Sequence, residues 1–240
     1  MKVAILGTAP SRGAAPFNDP DWKIWACSPG NMNLPSWDEF FEVHHDMATR
    51  PGEEAFCAWL RKEAAVGCKQ VVWMTDPTGF PGAMKFCHEP LVKIFGRNFF
   101  GEETGGSSVA WMTAEALRRY HPAFGGPGLE AIGFWGVEMA TGSEYWTQRS
   151  GVHHFIDVAS ALGVAIEMPQ GCALLKTQRL YGVEPPSAEE TELRKRIDTL
   201  TQMKDEASAK ARKYEQEALA FAGGIAALRE TLRLHYGVRI

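Results

Sequence analysis

The chain has 240 residues, of which 45% are hydrophobic and 22% charged, and its formal net charge is −4. That length and apolar content build a sizeable core and exclude a disordered chain, and the acidic balance argues against a dedicated nucleic-acid binder. No apolar run approaches the roughly 18–20 residues that span a bilayer. The opening MKVAILGTAPSRG is too short in its apolar stretch for a secretory signal, so the expected compartment is the cytoplasm. Cys27, Cys57, Cys68, Cys87 and Cys172 are an odd set with no close pair, which suits reduced thiols rather than disulfides or zinc ligands. Eight tryptophans are many for this length, and some are expected to line a surface or a pocket.

Residues 2–7, KVAILG, predict a buried parallel strand that runs into the turn Gly7-Thr8-Ala9-Pro10-Ser11. Further strands are expected over 23–27, 40–44, 70–74, 129–135 and 164–168. Helices are expected over 52–66, over 104–120 opening on Thr104-Gly105-Gly106-Ser107-Ser108, and over 150–162. The Pro- and Gly-rich stretch 76–90 reads as a loop or lid. This alternation specifies an open, mainly parallel Rossmann-like α/β sheet with helices on both faces.

At Pro185-Pro186 the composition changes. From Ser187 to about Tyr236 there is no proline, and Ser187–Glu190 forms a capping box. A four-three spacing then holds from Leu193, Ile197 and Leu200 through Phe221 and Ile225 to Leu228, Leu232 and His235. The chain therefore divides into a nucleotide-binding domain over 1–183 and a long C-terminal helical segment over 184–240, a coiled coil or a helical hairpin. Gly223-Gly224 is the expected place for a kink or hairpin, since each glycine costs about 1 kcal/mol in a helix. A helix this long needs a partner surface, and a homo-oligomer is the expected one; packing back on the α/β domain is the alternative.

In open parallel sheets ligands sit beyond the carboxyl ends of the strands. Those ends carry Thr8 and Ser11, then Ser28 and Asn31, then His44, His45 and Asp46, then Thr75, Asp76 and Thr78, and finally Glu138. Gly7–Ser11 is neither a dinucleotide fingerprint nor a P-loop, yet its backbone and hydroxyls suit a phosphate. Thr104-Gly105-Gly106 opens a helix and suits the same task. Adjacent histidines, as in His44-His45 and His153-His154, diverge too far to share one metal ion, so a single histidine acting as general base is the better reading. Arg149, a few residues after Glu144 and Tyr145, suits a phosphate or carboxylate. No bound metal and no tightly held cofactor are expected.

These motifs together resemble the bacterial sialyltransferase-like superfamily, which includes family 42 glycosyltransferases and pterin pyrophosphokinase-like proteins, and they also resemble uncharacterised phage proteins with a C-terminal helix. The resemblance covers about residues 1–176. It rests on G-x-x-P-S at Gly7–Ser11, Asn31, the helix opening at Thr104–Gly106, Gly136–Glu138, and the helix, strand and proline of Ala159–Pro169. It implies nucleotide contacts from Thr8, Ser11, Asn31, Thr104, Gly105 and Gly106 and a base at His153 or His154, and placement after the strands adds Gly7 and Ser28 to the nucleotide contacts. Glu138 and Arg149, from their place after the fifth strand, and Tyr145, the candidate for the family's tyrosines, complete the expected catalytic set. Glu102 and Glu103 stand where that family has an arginine. The function expected is a metal-independent, histidine-assisted, glycosyltransferase-like transfer from a nucleotide or nucleotide-sugar, with no membrane or nucleic-acid partner. The alternatives are a non-catalytic nucleotide-binding or assembly protein, and a pterin-type pyrophosphotransferase using magnesium at Asp46, Asp76 and Glu138.

Overall fold

The computed structural model describes residues 1–66, 70–101, 106–139, 143–175 and 188–237, without the side chains of 66, 143–147, 188–190 and 236. Two compact units result, Met1–Lys176 and Thr177–Ile240. The expected boundary at 183/184 lies outside the described residues.

The first unit is built on one seven-stranded sheet. Its strands are β1 (Lys2–Leu6), β2 (Trp22–Cys27), β3 (Glu39–Glu42), β4 (Val71–Met74), β5 (Met84–Lys85), β6 (Ala131–Trp135) and β7 (Ala165–Glu167). They lie in the order β5-β4-β3-β2-β1-β6-β7, and every neighbouring pair is parallel. Parallel strands covered on both faces read as unbroken apolar runs, which is how KVAIL and AIGFW read. Side chains alternate between the faces. Val3, Ile5, Trp25, Phe41 and Phe134 form one core layer with α2 (Glu89–Phe95), α3 (Ser108–Tyr120) and α4 (Ser143–Ala161). Ala4, Leu6, Ile24, Phe40 and Val72 form the other with α1 (Glu54–Val66), Trp37 and Trp135.

Four details differ from the sequence expectation. Strand β3 begins at the buried Glu39 and ends at Glu42, so His44 and His45 stand in the following loop and not on a strand. Glu39 is hidden from a hydropathy pattern because Arg119 of α3 neutralises it, with contacts of 2.7 and 2.9 Å. The stretch 76–90 is not all loop: it contains β5 and the start of α2. The turns after β1 and β2 are 3-10 segments, Pro10–Ala14 and Pro29–Asn31, each opened by a proline whose missing N–H suits a first helical position. Helix α4 starts at Ser143, so Gln148 and Arg149 are helical rather than in a loop.

Among its described residues the second unit is a single helix, α5 (Ala188–Tyr236), of 49 residues. It passes through Gly223-Gly224 without a break, so the hairpin does not form. Long helix-forming runs on both sides carry the local glycine cost. Among the described residues no helix is long and apolar enough to cross a membrane.

Candidate functional site

Strand order grows from β1 outward to β5, and the chain then returns to place β6 on the other side of β1. The reversal falls between β1 and β6, where open α/β sheets leave a crevice beyond the strand ends. A cavity of about 340 Å³ lies there, at the small end of ligand sites. Gly7, Thr8 and Ala9 after β1, Cys27 and Ser28 at the end of β2, and Gly136 to Met139 after β6 line it. Ser107, Ser108 and Val109 at the start of α3 and Gln148 on α4 complete the described wall.

Two glycines set the floor. A Cβ on Gly7 would stand 2.2 Å from the Gly136 carbonyl oxygen, and Gly136 itself has φ +70. Only glycine lets the two strand ends touch in this way. The Ala9 N–H donates to the Gly136 carbonyl at 3.0 Å, and the Gly136 N–H donates to the Ser11 hydroxyl at 2.9 Å. Ser11 is thus a clasp between the β1 and β6 turns. Asn31 is a second clasp. It is fully buried, donates to the carbonyls of Leu6 (3.1 Å) and Cys27 (2.7 Å), and accepts from Arg12 at 2.9 Å. Neither Ser11 nor Asn31 is among the residues that line the cavity. They shape the turns that do.

The first residues of α3 form part of the wall. The Ser107 side chain caps the helix by accepting from the Ala110 N–H at 3.1 Å. The first N–H groups of a helix have no intrahelical acceptor, and the helix dipole gives that end a partial positive charge. Ser108 and Val109 line the cavity, and so do Thr8 and Ser28. Ser28 (φ 74) and Met139 (φ 45) are the non-glycine residues with positive φ among those described, and both line this cavity. Left-handed backbone at such residues is held in place by its surroundings and collects at functional sites.

Of the described lining residues, Glu138 and Cys27 are the ionisable ones. Burial pushes the Cys27 thiol up to about 11, with the Ser28 hydrogen bond acting against it. Cys27 is therefore a neutral thiol near pH 7 and not a ready nucleophile. Glu138 brings a carboxylate, an acceptor for hydroxyl groups, to the same lining.

The other sequence candidates lie elsewhere or outside the description. Thr104 and Gly105 are not among the described residues, nor is the side chain of Tyr145. Gly106 is described but does not line the cavity; its N–H donates to the Gly101 carbonyl at 2.7 Å, and a Cβ there would meet the Phe100 oxygen at 2.3 Å. Its substitution would therefore disturb the loop itself. Arg149 donates to the carbonyls of Ala173 (2.8 Å) and Leu174 (2.6 Å), and His153 also meets Leu174. His154 stacks on Phe99 with ring centroids 3.7 Å apart, and burial lowers its pKa. None of these three lines the cavity.

A second concavity at the ends of β3 and β4 was not foreseen as a unit. His45 and His88 stand there with Glu89, Arg97 and Trp111, and the His88 ring meets Trp111 edge-on at 4.4 Å. Burial lowers the His88 pKa, and neighbouring His45 adds to the effect. His44 behaves oppositely: its hydrogen bond to the buried Glu42 raises its pKa. His88 lies within 76–90, and loop composition alone gave no signal for it. Among the described residues no three His, Cys, Asp or Glu side chains cluster as metal ligands.

No family model and no curated protein matches the sequence. Solved structures do match the chain trace. A mutant alpha-2,3/8-sialyltransferase CstII has 12% identity and a TM-score of 0.46, covering 80% of this chain and 99% of its own. The sialyltransferase CST-II in complex with a trisaccharide acceptor and CMP has 12% identity and a TM-score of 0.45, covering 79% and 97%.

Proposed function

We propose that the α/β unit binds a nucleotide or nucleotide-sugar in the β1/β6 cavity and acts as a glycosyltransferase-like transferase. The observation that carries this reading is the open start of α3 facing the glycine-floored end of β1 at the sheet's switch point. A phosphate fits there by accepting from the Ser108 and Val109 N–H groups and from the Thr8 and Ser28 hydroxyls. Glu138 is left to accept from ribose hydroxyls. In a transfer, the bond from sugar to phosphate breaks and negative charge grows on the departing nucleotide. Fixed donors at a helix start stabilise that charge without a metal ion. The acceptor hydroxyl must lose a proton, and Glu138 is the carboxylate in the described wall to which we assign it.

The test uses a proline. Ser108 is the first helical residue, and Ser107 before it is extended (φ −155, ψ 158). Both positions suit Ser108→Pro, which removes one N–H and leaves the helix intact. Calorimetry with CMP, UMP and sugar nucleotides should show binding by the native chain and a loss of roughly tenfold in the variant, as for one charge-assisted hydrogen bond. No binding of any of these ligands by the native chain ends the proposal.

One observation favours a second reading, a nucleotide-binding protein without catalysis: Arg149 and His153 are engaged with the 173–174 carbonyls rather than with the cavity. Release of free nucleotide from a sugar nucleotide, with and without sugar acceptors, separates the two.

A further inference from the structure

We infer that α5 is the seam of an antiparallel homodimer, in which Ile197 of one copy faces Leu228 of the other. This stands apart from the ligand reading and rests on the second unit alone. Leu193, Ile197, Leu200, Phe221, Ile225 and Leu228 are 49–71% exposed along the helix. Their four-three spacing places Leu193, Leu200, Ala207, Tyr214, Phe221 and Leu228 at d positions. Ile197, Lys204, Ala211, Ala218, Ile225 and Leu232 take the a positions. Six heptads in phase make a seam that a second copy of the same helix fits.

Direction follows from what meets what. In a parallel pair each residue faces its own copy. Lys204 would then meet Lys204 inside the seam, and the Ala207 and Ala211 layers would leave gaps beside a Tyr214 pair. Run antiparallel, every layer improves. Leu193 faces Leu232, Ile197 faces Leu228 and Leu200 faces Ile225, so both apolar ends are covered. Toward the middle, Lys204 lies along the Phe221 ring, Ala207 faces Ala218, and Tyr214 fills the space left by Ala211. This one register overlaps the whole helix, from Ala188 to Tyr236.

Charge points the same way. At the flanking g positions the antiparallel register brings Lys210 of each copy to Glu217 of the other, twice by symmetry. Shifting by one heptad in either direction sets Lys210 against Lys210 or Glu217 against Glu217. The chosen register also brings Arg194 near Arg229, on a flank open to solvent and screened by salt.

The experiment uses the full chain. Light scattering at micromolar concentration should give twice the chain's 26.5 kDa. A double variant, Leu193→Cys with Leu232→Cys, is then oxidised and its disulfides are identified by peptide mapping, which separates them from native thiols. The expected product is a dimer joined 193 to 232. Within one helix these positions are about 58 Å apart and cannot bond. Disulfides joining 193 to 193 and 232 to 232 would establish a parallel pair and overturn the proposal. So would a monomeric or higher mass for the native chain. If the cysteine variant fails to assemble, charge reversal decides. Lys210→Glu and Glu217→Lys should each weaken the dimer about tenfold, and mixing the two should restore it. Failure of the mixture to restore it excludes this register.

Discussion

The two ends of α3 handle charge in opposite ways. In its last turn, Arg119 donates to Glu39 and Glu115 and lies 5.0 and 4.7 Å from the rings of Trp25 and Trp73. Arg118 holds Glu115 from the other side at 2.7 and 2.8 Å. Buried carboxylates and guanidinium there close on one another. In its first turn, Ser107 takes the Ala110 N–H, and Ser108 and Val109 ahead of it line a cavity. One helix thus anchors the sheet at the amino end and offers donors at the carboxyl end, and the two duties can be broken separately.

Arg119→Ala should have the largest effect. It leaves two carboxylates without their common partner, which costs about 3–5 kcal/mol in a buried pair. Urea denaturation reads that loss, and ligand affinity of the folded variant should be unchanged. A change in affinity would show that the two ends are not independent. Gly7→Ala comes next. The added methyl forces the β1 and β6 turns apart, at about 1–3 kcal/mol, and should lower ligand affinity more than tenfold, the reverse of the Arg119 pattern. Ser108→Pro sharpens the contrast further, because it should reduce affinity with almost no loss of melting temperature.

The smallest effect belongs to His44. Glu42 raises its pKa in the folded chain, so the pair contributes fully below the ordinary value near 6.5 and fades as pH rises through the higher folded value. The melting-temperature difference between native and His44→Gln should therefore be largest near pH 5.5 and shrink toward pH 8.5. A difference that grows with pH contradicts this pairing.

Most strands were legible because a parallel sheet writes itself in apolar runs, and β1, β2, β4 and β6 fall within two residues of where KVAILG, KIWAC, QVVWM and LEAIGFW place them. Glu39 was missed because a charge buried against a distant arginine leaves no local pattern. The short β5 was missed because its two residues are exposed and bounded by turns. At the site, Gly7, Thr8, Ser28 and Glu138 line the cavity as placement after strands suggests. Ser11 and Asn31 carry the same expectation from their place after strands and from the resemblance, yet a hydroxyl or amide at a strand end serves equally well as a clasp on neighbouring backbone. His153 shows the same limit: sequence position near a site does not tell which way a helix turns its side chain.

Strand β1 has its β6 partner late in the sequence: Lys2 pairs with Ala131 and Leu6 with Trp135. A ribosome must therefore make more than half of the first unit before its central strand can be closed on both sides. The crevice between β1 and β6 is among the last features a nascent chain can complete, because contacts so distant in sequence form slowly. Any ligand of that crevice recognises the finished sheet and not its precursors. It would act on the newly made protein as a late lock, drawing the population toward the closed sheet by mass action.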